Sequence, residues 1–129
     1  MCNRSRIIDI VQFHDFLILR TNKGACLVYN SVSCRRHMFL NPSKFDVVET
    51  VFVNRLNDEV IFVSYRQCED QNVLQCRSIG YAALRAKDVS RATLLFRDEL
   101  FLAPSYFEFD EYNRVIITFC AQKTEGLEQ

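Results

Sequence analysis

The sequence predicts an all-β, antiparallel fold, and three observations predict it. One plan of strand, tight polar turn and strand occurs three times: most clearly over residues 7–30, then from near Val47 and again from near Tyr106. The middle strands of these copies begin near Phe16, Val60 and Arg114, which are 44 and 54 residues apart. Aromatic residues are abundant, with eleven Phe and five Tyr, while Gly and Pro are too few for a low-complexity chain. Together these point to a stacked β-architecture.

The elements follow in order. Ile7–Phe13 is apolar at nearly every position, so it reads as a strand buried on both faces and ended by a turn at His14 and Asp15. Phe16–Thr21 is the second strand. Asn22, Lys23 and Gly24 make the next turn, because Asn and Gly tolerate the positive φ of a tight hairpin. Residues 25–30 form the third strand. Residues 34–40 read as a shorter edge strand with its polar residues at one end, and Asn41, Pro42 and Ser43 then break the chain. The plan restarts at 47–53, turns at 56–59, and continues through the β-branched and aromatic strand 60–65. A polar connection over 66–72 leads to the alternating strand 73–79. Residues 81–87 carry good helix formers in a stretch too short for an independent helix, so 80–91 is a short helix or an irregular insertion. Residues 92–96 form an outer strand, 97–99 a turn and 100–102 a brief strand, and Pro104 interrupts pairing. Residues 106–110 alternate, 111–113 turn, 114–121 form the last strong strand, and the polar tail 122–129 frays.

A chain of 129 residues forms one domain by default, here 1–129, and can remove roughly two thirds of its unfolded surface from water. At 49% apolar residues it is not a disordered sequence. Sixteen basic and sixteen acidic side chains give zero formal charge, which argues against bulk nucleic-acid binding. Residues 1–65 carry eight basic and six acidic groups and residues 66–129 eight and ten, a difference too small to imply an anionic partner. The polar start, from Met1 to Arg6, lacks the apolar core of a secretory signal, and no apolar run approaches the roughly 18 residues of a membrane span. The expected setting is therefore intracellular, cytoplasmic or nuclear, with six cysteines as thiols. The even count also permits three disulfides in an oxidising setting.

Residues 22–30, Asn22-Lys-Gly-Ala-Cys-Leu-Val-Tyr-Asn30, resemble the end of a WD-type repeat, where a Gly turn leads into an apolar strand closing on an aromatic and a short polar residue. Gly24, Val28, Tyr29 and Asn30 match in type. The continuation from Val28 to Pro42 is similar to kelch and F-box-associated propeller blades. The likeness implies about two and a half blades of a β-propeller, with units at 7–40, 47–96 and 105–121. The chain departs from the pattern in having no Trp-Asp dipeptide and no Gly-His pair, and in placing Gln75, Cys76 and Arg77 where the second copy needs an aromatic. A closed ring needs about four to eight blades. Three arrangements stay open: a piece of a longer propeller, assembly with another chain, or a compact β-sandwich.

Candidate chemistry is sparse. Cys26 and Cys34, and Cys68 and Cys76, are eight apart, whereas structural zinc uses closer pairs; no metal site is expected, and Cys26, Cys76 and Cys120 read as small packed hydrophobes. Cys34 near His37, and His14 beside Asp15, lack the base and oxyanion geometry of a nucleophilic site, so no enzyme is expected. His14 reads as a turn residue and His37 as a solvated strand residue. The acidic turns at Asp98, Glu99, Glu108, Asp110 and Glu111 lack calcium-loop spacing. Three glycines exclude phosphate loops, so no cofactor is expected. Arg35, Arg36 and His37 form the one compact basic cluster. They are candidate partner-binding residues, or else charges that keep an edge strand from pairing. The expected function is a non-catalytic protein–protein interaction or scaffold module, with substrate recognition within a larger assembly as the role the F-box-associated likeness implies. The alternative is a stand-alone sandwich or barrel whose Phe residues line a pocket for a small apolar ligand, an enzyme included.

Overall fold

Side chains alternate across a strand, so strands of this composition form sheets with two distinct faces. A computed structural model describes residues 4–67, 72–100, 104–110 and 115–120. The strands are β1 (Ile7–Phe13), β2 (Phe16–Thr21), β3 (Cys26–Asn30), β4 (Arg36–Phe39), β5 (Val47–Asn54), β6 (Glu59–Gln67), β7 (Asn72–Gly80), β8 (Thr93–Leu100), β9 (Pro104–Asp110) and β10 (Val115–Cys120). One short helix, α1 (Tyr81–Arg85), and a 3₁₀ turn at Val89–Arg91 connect β7 to β8. The fold is all-β and antiparallel, as expected. β1-β2-β3-β4 and β5-β6-β7-β8 are successive four-stranded meanders, and β9 pairs with β10.

Two cores hold the sheets together. Phe16, Ile18, Cys26 and Val28 of the first sheet meet Val48, Val51, Val60, Phe62 and Ile79 of the second, with Ala83 and Leu84 of α1 closing one end. The opposite face of the second sheet packs Ile61, Val63, Leu74 and Cys76 with Phe52, Tyr65 and Phe109. The Phe52 and Phe109 ring centroids lie 5.5 Å apart, joining β5 to β9. The second sheet is thus covered on both faces. The first is covered on one. Its outer face carries the cross-strand row Ile10, Leu19, Leu27 and Phe39, in register across four strands.

Three expectations are corrected. β1 is not buried on both faces: Ile7, Ile8 and Ile10 are 56%, 51% and 59% exposed. It is an edge strand whose outward residues stay exposed, Ile10 lining an open hollow with Phe52 and Phe109. The expected turn at 97–99 is strand instead, because Arg97, Asp98 and Glu99 pair with Gln75, Leu74 and Val73 and carry β8 to Leu100. Pro104 does not interrupt pairing; it opens β9 opposite Cys120, at a register shift. The first strand position is where a missing N–H is tolerated. The expected turn at 111–113 and the tail 122–129 lie outside the described residues, as does most of the brief strand 100–102.

A bulge in β5 falls between Val48 and Thr50. Glu49 occupies it half-buried, and burial raises its carboxyl above the ordinary 4.5, with Arg20 offsetting part of the effect. A folded-state pKa above the unfolded one means that Glu49's contribution to stability is fully present below 4.5 and is lost as pH rises through the folded value. Glu49→Gln is therefore expected to melt higher than the natural chain at pH 7, with the difference vanishing below about pH 4. Melting curves across that range check the sign.

Candidate interaction site at the end of the first sheet

The basic triplet of the sequence does not stay together. Asn30 fixes the β3–β4 turn: its N–H donates to the Arg35 carbonyl at 2.9 Å, and its Oδ1 accepts from Val32 and Ser33 at 2.9 and 3.0 Å. Arg35 is left exposed in that turn. Arg36 then pairs opposite Tyr29 while Met38 pairs opposite Val28, so the register shifts at His37. That shift divides the neighbours. Arg36 places its guanidinium carbon 5.4 Å from the centre of the Phe39 ring, a cation–π contact. His37 turns inward, where Nε2–H donates to the Leu84 carbonyl at 2.6 Å and the ring lies 4.7 Å from Phe16. His37 is a clasp between β4 and α1 and not the solvated residue expected.

His14 and Asp15 also part company. His14 sits in the β1–β2 turn at φ 54° and reaches Asp58, with Nε2 2.6 Å from Oδ1. Asp15 instead accepts the Tyr81 hydroxyl at 2.7 Å. That hydrogen bond is the main reason the Asp15 carboxyl lies below, and the Tyr81 hydroxyl above, its ordinary value. The arrangement ties two turns and α1 together. Cys26 and Cys76 are buried thiols, and burial pushes each up to about 12, so they remain protonated and inert. Cys34 is exposed. Among the described residues, no three His, Cys, Asp or Glu side chains stand close enough to hold a metal ion.

Next to Arg36 and Phe39 lies a hollow of about 390 Å³ that sequence reasoning missed. The β2–β3 turn supplies Lys23, Gly24 and Ala25, and the β4–β5 connection supplies Asn41, Ser43, Lys44 and Asp46. Asn41 builds the wall. Its Oδ1 accepts the Cys26 N–H at 2.7 Å, and its Nδ2 donates to the Gly24 and Asp46 carbonyls at 2.9 Å each. Asp46 is buried and engaged with Arg66 through two hydrogen bonds of 3.0 Å. The Arg66 guanidinium also donates to the Ser43 hydroxyl. Phe39 lines the hollow at 46% exposure, and Phe45 of the same connection is 68% exposed with the Lys44 ammonium 5.4 Å from its ring centre. A second hollow of about 360 Å³ shares Ala25 and Phe39 as walls and runs along Leu19, Leu27 and Tyr29. The local signal was the pair Lys44 and Phe45 after a chain break. The rest depends on contacts between residues 15 to 23 apart in sequence.

The family described as a domain of unknown function (DUF7899) matches residues 1–125. No curated protein and no solved structure matches the chain.

Proposed function

We propose that this chain, a member of the DUF7899 family, is a non-catalytic protein–protein interaction module of β-propeller type. It acts as a scaffold that presents sheet faces and turns to a protein partner, with substrate recognition in a larger assembly as its role. The observation that carries this reading is the stacking of sheets in chain order. The second sheet packs the first on one face and β9 on the other. The outer face of the first sheet keeps an apolar row whose ends, Ile10 and Phe39, are exposed and whose middle, Leu19 and Leu27, is half-buried. A stack built by repetition has ends, and an end presents the kind of surface that the interior buries. Contiguous exposed apolar surface of this kind marks interaction sites. The inert thiols and the separation of His14 from Asp15 fit docking better than turnover. Among the described residues no helix is long and apolar enough to cross a membrane. Free thiols at Cys26, Cys34 and Cys76 suit the reducing interior of a cell.

The test is partner binding by the purified chain carrying Ile10→Asp on the open face or Arg91→Asp in the exposed 3₁₀ turn after α1. Saturable binding of one protein partner is expected to be lost in the first variant and kept in the second. Partner binding indifferent to Ile10→Asp, or turnover by the purified chain that depends on Cys34 or His37, would overturn the proposal.

A further inference from the structure

The first strands of the three sheets meet around a hollow of about 400 Å³. Residues 10–12 of β1 and 51–53 of β5 line it, with Phe109 of β9 and Arg55 of the β5–β6 turn. Neighbouring side chains of a strand point to opposite faces, so a space that touches three consecutive residues meets the strand's edge and not one of its faces. β1 and β5 are terminal strands of their sheets, and β9 pairs only with β10 among the described residues. A strand with a neighbour on one side only turns the N–H and C=O groups of alternate residues outward. Bulges, prolines and charges usually spoil such an edge for further pairing. Here the bulges of β1 and β5 fall outside the lining stretches, and those stretches, Ile-Val-Gln and Val-Phe-Val, hold no proline and no charge.

Arg55 is the one charged residue of the lining. It is exposed, and none of the described residues engages its guanidinium. The carboxylates that follow it are taken: Asp58 Oδ1 lies 2.6 Å from His14 Nε2, and Glu59 Oε2 accepts the Asn54 amide at 2.9 Å. Glu108 and Asp110 flank Phe109 in sequence but do not line the hollow. A single positive group thus stands beside two pairing-competent edges with no counter-charge in the lining.

We propose that this hollow receives an extended segment of a partner protein, which adds to the free edge of β1 and places one carboxylate on Arg55. The main chain of that segment pairs with the outward N–H and C=O groups, and its apolar side chains lie against Ile10, Phe52 and Phe109. The proposal rests on the reading of the chain as an interaction module and names the binding mode and charge of its partner. Main-chain pairing supplies affinity that is largely indifferent to sequence, while the guanidinium fixes the register and rejects basic segments. A nucleic acid fits less well, because polyanion binding gains from many cations along a track. A small molecule would leave most of the strand edge unpaired.

A random dodecapeptide library displayed on phage is selected on the immobilised chain, and synthetic copies of the selected peptides are measured by fluorescence polarisation. The selected sequences are expected to share one Asp or Glu within a run rich in Val, Ile and Thr. Their affinity is expected to fall about tenfold or more in Arg55→Glu. It should also fall when one alternate set of peptide nitrogens is N-methylated and hold when the other set is, because an added strand turns only every second residue toward the edge. Arg91→Glu, in the exposed 3₁₀ turn after α1, should leave it unchanged. Thermal melts confirm that each variant is folded. A selection yielding no peptide with a shared acidic residue, affinities unaffected by Arg55→Glu, or equal tolerance of both N-methylated sets would each overturn the proposal. Ile10 borders the open face as well as the hollow, so peptides lost in Ile10→Asp but retained in Arg55→Glu would overturn it while leaving the function proposed above in place.

Discussion

Phe62→Ala is expected to remove about 3–5 kcal/mol of unfolding free energy, the range for truncating a fully enclosed phenylalanine. Phe62 has no exposed surface and lies on β6, in the core shared by the first two sheets. Its removal leaves a void between two sheets that cannot close without shifting one against the other. A domain of this size has only about 5–15 kcal/mol in total, so the loss would lower the urea midpoint by about a fifth or more. Phe39→Ala is the matched control, because its ring is 46% exposed and its loss is expected to cost about 1 kcal/mol or less. Urea titrations of both variants decide the matter. A Phe62→Ala midpoint close to that of Phe39→Ala would mean that the two sheets do not share a core.

Gly24→Ala is expected to cost about 2–4 kcal/mol, from two separable causes. Gly24 adopts φ +86°, a left-handed conformation that costs an L-residue about 1–2 kcal/mol. An added Cβ would also stand 2.6 Å from Val47 Cγ1 and 2.8 Å from Cγ2. Val47 is short and branched at Cβ, so it has no alternative rotamer that clears both methyls. Overpacking of this kind costs about 1–3 kcal/mol. The backbone is also held on its carbonyl side, which accepts the Val48 N–H and the Asn41 amide at 2.9 Å each. In a double-mutant cycle, adding Val47→Ala should return the steric part and leave the conformational part. Gly80→Ala is the contrasting case: its Cβ would meet nothing within 4 Å, and the change should stay within about 0.5 kcal/mol. Equal effects at the two glycines would contradict this account of the β2–β3 turn.

What the sequence made legible was local. Alternation and turn chemistry placed β2 at its observed ends, and β5, β6 and β7 within one or two residues at each end. Gly24 announced the turn that needs positive φ. Burial was less legible because it depends on what lies above a strand. The apolar run Ile7–Phe13 looks the same whether or not another sheet covers it. Charges at Arg97, Asp98 and Glu99 read as a turn, yet their backbones pair with β7, which the local charge pattern does not show. The triplet at 35–37 read as one basic cluster because sequence alone does not show a register shift, and the shift is what sends His37 to Leu84 and leaves Arg36 on Phe39. The candidate site was the least visible part. Its wall depends on Asn41 meeting Cys26 and Gly24, and on Arg66 meeting Asp46, contacts that appear only when the hairpins close.

Asn41 holds three backbone groups through one side-chain amide, and the residue after it is Pro42. Spontaneous deamidation of asparagine proceeds chiefly through attack of the next residue's backbone nitrogen on the side-chain carbonyl, and a proline nitrogen carries no hydrogen to lose in closing that ring. The main route by which exposed asparagines age is therefore closed at the position where conversion to aspartate would replace a donor to two carbonyls with a repelling charge. The chain can grow old without this joint coming undone.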